Sequence, residues 1–329
     1  MHERIVVSGG SGFIGRLLTP GLAAPNYDVV VLTRSPRAPA EAIRQVRWDG
    51  HTLGDWTEEL EGARALINLA GRSVNCRYNE RNRREILESR VDSTRVLGEA
   101  IAHCKHPPRV WLNASTATIY KHTFDRPMDE ATGVIAATPE AKDAFSIEVA
   151  RAWEQTLNEA HTPATRKVAL RTAMVLAPTE GGVFRVLRRL TRYGLGGPVA
   201  GGNQFMSWIH EDDFCRAVEW LIGRDDVSGP VNVASPNPIP HREMMRILRR
   251  ECHVPSGLPA TRWMLEVAAF VHRTEAELIL KSRRVVPGRL LAAGFQFHFP
   301  KMEDAVREIE HRIRGQASPA PPYEVVDLS

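Results

Sequence analysis

RIVVSGGSGFIG, residues Arg4–Gly15, decides the fold. Arg4–Ser8 is a short apolar strand, and Gly9, Gly12 and Gly15 follow it in a G-x-x-G-x-x-G series before a helical pattern begins. Glycines at this spacing permit a tight turn and close backbone approach, so a pyrophosphate can sit on the N-terminus of the next helix. Alone, such a series also reads as an ordinary glycine turn. Its place between a strand and a helix, at the head of a βαβ unit, favours the phosphate loop. Pro20 falls inside that first helix and is expected to kink or shorten it.

Working outward, four more apolar runs read as buried strands: Val29–Thr33, Ala65–Ala70, Val110–Ser115 and Val168–Leu176. Nearly continuous apolar character is what parallel strands covered on both faces require. Asn82–Cys104 and Ala141–Ala160 have the length and pattern of crossover helices. The alternation predicts an α/β fold, a doubly wound parallel (Rossmann) sheet. After Leu176, glycine-rich stretches (Glu180–Gly182 and Gly194–Gly202) flank a basic helix, Val183–Tyr193. Asp212–Ile222 reads as a helix returning to the main domain and Val231–Ala234 as a last strand. Between Pro255 and Pro300, short helices alternate with Pro and Gly breaks, predicting a small, mainly helical C-terminal lobe on the substrate side. The expected division is 1–178 with 205–250 for the nucleotide-binding domain, 179–204 and 251–312 for the lobe, and 313–329 for a mobile tail.

Composition narrows the function classes. With 43% hydrophobic and 25% charged residues, the 329-residue chain is that of a globular protein with a substantial core. The net charge is +4, and the arginine clusters (Arg81, Arg83, Arg84 and Arg185, Arg188, Arg189, Arg192) are interleaved with acidic or apolar residues. They read as solvated helix faces, so an anionic small molecule fits and nucleic acid does not follow. Four dispersed cysteines without C-x-x-C spacing indicate reduced thiols and no metal site. A strand at the N-terminus leaves no room for a signal peptide, and no apolar run reaches membrane-spanning length. The expectation is a cytoplasmic protein with a small-molecule substrate and neither nucleic acid nor membrane as partner.

The second strand ends at Thr33, about twenty residues past the glycines, where an NAD-selective site places an acid for the ribose 2′-hydroxyl. Here the residues are Thr33, Arg34 and Ser35, with Arg37 close behind. A guanidinium fork and hydroxyls suit a 2′-phosphate, so the expected cofactor is NADP(H). An exposed arginine with no ligand is the alternative.

NLAG at Asn68–Gly71 resembles the N-A-G turn of short-chain dehydrogenases, and STATIY at Ser115–Tyr120 looks like the S-S-A-T-V-Y segment of their extended, sugar-nucleotide-epimerase branch. Two longer strings, Gly194–Asp213 (GLGGPVAGGNQFMSWIHEDD) and Lys281–Pro300 (KSRRVVPGRLLAAGFQFHFP), are similar to the YfcH-type epimerase family of atypical extended short-chain dehydrogenases. That resemblance covers about residues 4–312 and implies NADP(H) as cofactor and a small C-terminal domain of unknown function. It places Gly9, Ser11, Gly12, Phe13, Ile14 and Gly15 at the phosphates, and Thr33 and Arg34 at the 2′-phosphate. Leu69, Ala70 and Val175 would line ribose and nicotinamide through backbone, and Gly71 and Ser115 are further candidate cofactor contacts. Glu85 and Arg90 become cofactor contacts on the helix carrying the ESR string, or remain a surface pair.

The family's usual chemistry is incomplete here. Short-chain dehydrogenases pair a Ser or Thr with Tyr and Lys in Y-x-x-x-K, where the Lys tunes the Tyr as proton donor. Thr116 stands at the hydroxyl position, but the Tyr and Lys positions hold Phe145 and Val149. Thr116 and Tyr120 are the candidate catalytic residues, although Tyr120 also reads as pocket lining. Trp208 and His210 are the candidate substrate-side residues, with a buried structural histidine as the alternative. Two functions stand: an NADP-dependent, epimerase-like oxidoreductase on a small polar substrate, or a catalytically silent NADP(H)-binding redox sensor or regulatory interaction protein.

Overall fold

The computed structural model describes residues 3–23, 27–36, 43–261 and 280–315. Arg37, most of the tail and part of the expected lobe lie outside the described residues. The chain opens with β1 (Glu3–Ser8), α1 (Phe13–Ala23), β2 (Tyr27–Thr33) and β3 (Ile43–Arg47). It continues through β4 (Ala65–Asn68), α2 (Glu80–His103), β5 (Val110–Thr116), α3 (Ala144–Glu159), β6 (Arg166–Thr172) and β7 (Met174–Leu176). Then come α4 (Val183–Leu190), β8 (Phe205–Met206), β9 (Trp208–His210), α5 (Glu211–Gly223), β10 (Gly229–Val233), β11 (Ile239–Pro240) and α6 (His241–Glu251). Past residue 280 the helices are α7 (Gly288–Ala292) and α8 (Met302–Ile313).

Seven strands form one sheet in the order β10-β6-β5-β4-β1-β2-β3, with every neighbouring pair parallel. From β1 the chain runs outward to β2 and β3, then jumps back over β1 to β4 and proceeds the other way. The crevice where the order reverses, between β1 and β4, is where an open α/β sheet receives a ligand. Side chains alternate across the pleat. Ile5, Val7, Val29 and Val31 pack with Leu18 and Leu22 of α1 and Phe214 and Val218 of α5 on one face. Val6, Val30, Leu66 and Trp111 pack with Val96 and Leu97 of α2 and Leu157 of α3 on the other. Each such side chain, removed from water, stabilises the sheet by about 1.5–3 kcal/mol before entropy is counted.

Pro20 lies inside α1, which ends at Ala23. Two strand readings change. The run Val168–Leu176 is two strands, because the chain leaves the main sheet at Ala173 and β7 pairs instead with β9. The edge strand β3, which no apolar run announces, pairs with β2.

Beyond the sheet, a further core joins α4, α6 and α8. Phe184 and Trp208 pack there with Met244, Leu248, Met302 and Ile309. Arg188 of α4 pairs with Glu310 of α8 at 2.6 Å, and both are largely buried. Lys281 and Asp143, fully buried, form an ion pair at 2.6 Å that ties the returning C-terminal segment to the start of α3.

Candidate functional site

A cleft of about 580 Å³ opens at the C-terminal ends of β1, β2 and β4. Its floor is the glycine loop. Gly9 has φ +73°, and a Cβ there would lie 2.7 Å from the carbonyl of Leu69, so the turn after β4 sits directly on it. Gly15 is held as tightly, since its Cβ would meet the Gly10 carbonyl oxygen at 2.4 Å. Only glycine fits either place, and the loop's shape leaves backbone facing the cleft.

The second wall is the Asn68–Gly71 turn, fixed by Asn68 from beneath. Its side chain donates to Asn113 at 2.7 Å and accepts from the Ser8 hydroxyl at 2.6 Å and the Ala70 amide at 3.0 Å. A fully buried amide with its hydrogen bonds made is a rigid support.

Thr33 and Arg34 line the cleft's outer end. Arg34 is exposed and has no ion-pair partner among the described residues. Opposite stands a wall not anticipated from sequence, Trp48–His51, which follows β3. Trp48 packs edge-on against Trp56, with ring centroids 5.7 Å apart. The Asp49 carboxylate accepts the Thr52 hydroxyl and the amides of Thr52 and His51, which hold its pKa down to about 2. Asp49 is therefore spent on shaping its own turn. The available signal is a short run placed C-terminal to a parallel strand, but β3 itself carries no apolar run that marks it as one.

On the third side α2 contributes Glu85, while Arg90 of the same helix packs against Gly71 without lining the cleft itself. Glu85 lines the cleft and is paired with both Arg72 and Arg81. Arg90 donates to the carbonyls of Arg72 and Ile86 and lies 5.0 Å over the Trp153 ring. No carboxylate faces it among the described residues, and burial pulls its guanidinium down to about 10. An arginine without a counter-charge, beneath Gly71, suits an anionic or hydroxyl-rich ligand.

Phe13 borders the glycine loop and packs its ring against Gly182, where a Cβ would approach to 2.7 Å. Ile14 and Gly15 begin α1 behind it. Val175 is buried and pairs with Ile209.

The remaining candidates divide. Thr116 ends β5 half-buried, its hydroxyl accepting the Thr118 amide at 3.1 Å. The Ser115 hydroxyl turns away and donates to Glu154 at 2.6 Å. Glu154 is also the bidentate partner of Arg171, at 2.8 and 2.7 Å. Arg171 in turn donates to the Tyr120 hydroxyl at 2.8 Å, which donates to Asn232 at 2.9 Å. Tyr120 is thus committed on both sides, and burial raises its pKa. Trp208 is fully buried with its indole N–H on the Asn237 carbonyl. His210 caps α5 and meets Glu308 at 2.9 Å in the interior. None of Ser115, Thr116, Tyr120, Val175, Trp208 and His210 lines the cleft.

Removing the Tyr120 hydroxyl tests that assignment. Tyr120→Phe strands one Arg171 N–H and one Asn232 oxygen, and should cost about 1–3 kcal/mol of stability with NADPH affinity unchanged. Urea unfolding and a nucleotide titration check both halves.

Phe145 and Val149 lie one turn apart on α3, packed with Ile86 of α2. Val74, Cys76 and Tyr78 close over them, and the Tyr78 and Phe145 rings are 5.0 Å apart. The positions are filled by apolar contact.

Comparison with known proteins agrees with this geometry. A family model described as NAD dependent epimerase/dehydratase family matches residues 5–234, and one described as a domain of unknown function (DUF1731) matches 260–309. The epimerase family protein SDR39U1 of Bos taurus is 30% identical over 312 residues, covering 93% of this chain and 99% of that protein. The epimerase family protein YfhF of Bacillus subtilis is 27% identical, covering 93% and 97%. Among solved structures, human SDR39U1 with NADPH superposes with a TM-score of 0.80 at 28% identity, covering 94% of this chain and 99% of that one. A nucleoside-diphosphate sugar epimerase from Corynebacterium glutamicum shares the fold, with a TM-score of 0.71 at 24% identity over 97% of this chain and 63% of that one.

Proposed function

Because this chain belongs to the NAD dependent epimerase/dehydratase family, we propose that its cleft binds NADP(H) and that it acts as an epimerase-like oxidoreductase on a small polar substrate. The observation that carries the cofactor choice is Arg34, exposed at the cleft and unpaired beside Thr33. A carboxylate there would repel a 2′-phosphate, whereas a free guanidinium offers it charge and two parallel donors. The human relative bound to NADPH supports the same choice.

When bound, the nicotinamide supplies or accepts a hydride. This chain's own residues do the rest. The glycine loop gives the pyrophosphate backbone N–H groups and the N-terminus of α1, Arg34 and Thr33 hold the 2′-phosphate, and the Asn68–Gly71 turn sets the depth of entry. Arg90 supplies a donor toward ribose. Thr116 is the hydroxyl available to hold a substrate carbonyl at the end of β5. Ser8, Asn68 and Asn113 act as positioning residues for these groups.

Arg34→Glu should weaken NADPH binding by about ten- to a hundred-fold and leave NADH nearly unchanged, since a charge-assisted contact contributes about 1.5–3 kcal/mol. Paired titrations of both nucleotides decide it. Equal affinity of the parent protein for NADPH and NADH sinks the assignment.

A second reading has its own support. Phe145 and Val149 are sealed in an apolar cluster, with no proton donor at the usual positions. That favours an NADP(H)-binding sensor or regulatory protein without turnover. Screening NADPH oxidation against a carbonyl and sugar-nucleotide panel separates the two.

A further inference from the structure

The three most exposed large apolar side chains among the described residues are Tyr193 (76%), Leu258 (67%) and Leu195 (51%), and all stand on one tip. Tyr193 and Leu195 belong to the π-type turn Thr191–Leu195 that continues α4. Leu258 comes from a separate segment fastened to it. Its amide donates to the Gly194 carbonyl at 2.7 Å, and its carbonyl accepts the Gly197 amide at 3.2 Å. Glycines make the approach possible: a Cβ on Gly257 would lie 2.5 Å from the Gly196 backbone. Val183, Val186 and Leu190 are also exposed and extend the stripe back along α4, about 15 Å at the helical rise from Val183 to Tyr193.

Cations flank the stripe along one side of α4. Arg189 and Arg192 are exposed and have no ion-pair partner among the described residues, and Arg185 has only a 3.5 Å contact with Glu180. The fourth arginine, Arg188, faces inward to Glu310. Phe184 and Thr191 anchor the other face in the core. The tip is thus held from beneath, and the large side chains that it presents outward among the described residues of α4 and the following turn are apolar and cationic.

We propose that this tip docks on an anionic phospholipid surface. Protruding apolar side chains flanked by unpaired arginines suit a soft interface that admits the former and attracts the latter. A second copy of the chain would bring the same arginines against these, and a flat apolar protein face would leave them unmatched. No helix among the described residues is long and apolar enough to cross a membrane, so the contact is peripheral. This departs from the expectation of no membrane partner, which rests on spanning length alone, and from reading the cluster as a merely solvated face.

The test is co-sedimentation of the full chain with vesicles of pure phosphatidylcholine and of phosphatidylcholine with an equal part of phosphatidylglycerol. Binding is expected only to the anionic vesicles, weakening as salt rises. Tyr193→Ser with Leu258→Ser should reduce it at least about ten-fold. Arg189→Glu with Arg192→Glu should do so by about five-fold or more per arginine. NADPH affinity, measured on the same variants, should stay at the parent value and shows that each is folded. Equal binding to neutral vesicles, no binding, or binding insensitive to both double variants overturns the proposal. So does a dimer of the parent protein that Leu258→Ser disrupts, since a second copy then covers the tip.

Discussion

UDP- and GDP-sugars are expected to remain unconverted by a preparation that binds NADPH fully. A positioned general acid contributes about 10²–10⁴-fold to rate, and the usual donor in this fold is a lysine-tuned tyrosine. Phe145 and Val149, which the family resemblance sets at the tyrosine and lysine positions, lie within an apolar cluster. The nearby tyrosine does not compensate. The Tyr120 hydroxyl is engaged by Arg171 and Asn232, and burial raises its pKa, so it releases a proton less readily. His210 is turned inward to Glu308. Turnover should therefore be absent or lower by at least that factor, while the glycine loop still binds nucleotide. Measuring NADPH affinity by fluorescence and epimerase activity on one preparation checks both. Robust turnover by the unmodified protein would overturn the reading, because no side chain in the expected place supplies the proton.

Arg171→Met should destabilise the protein by about 3–5 kcal/mol, as loss of one partner from a buried ion pair does. Arg171 and Glu154 have side chains only 6% and 12% exposed, so the orphaned carboxylate would stay in a poorly solvated place. Tyr120 would lose a hydrogen bond as well, while Ser115 keeps its bond to the orphaned Glu154. The double variant Arg171→Met with Glu154→Leu removes both charges and should recover part of the loss. Urea unfolding of the parent, both singles and the double gives the coupling directly. A single variant within about 1 kcal/mol of the parent would mean that the pair is solvated and the network is not what joins β5, β6 and α3.

Much of the fold is legible in the sequence because its strands are covered on both faces. Val29–Thr33 and Val110–Ser115 announce themselves as apolar runs, and the glycine series says where the first strand ends. What escapes does so for local reasons. Ile43–Arg47, at a sheet edge, has only Ile43 and Val46 apolar among Arg44, Gln45 and Arg47, so it carries no continuous run. In Val168–Leu176 apolar residues resume directly after Arg171 and Thr172 while the chain changes partner from one sheet to another, a switch that composition does not record. The site divides the same way. Gly9, Arg34 and Ala70 are set by short-range signals and line the cleft. Tyr120 and His210 are decided by Asn232 and Glu308, which lie 112 and 98 residues away in sequence. No local motif carries that information.

The two family matches end and begin at residues 234 and 260, yet the structure draws no such line. Phe299, Met302, Val306 and Ile309 from the second complete a core begun by Phe184 and Trp208 in the first. Glu308 and Glu310 answer His210 and Arg188, and Lys281 answers Asp143, all across the same boundary. Each half is thus the other's missing counter-charge. Removing either stretch would leave buried ions bare in the other, so the two are expected to unfold together in a single transition.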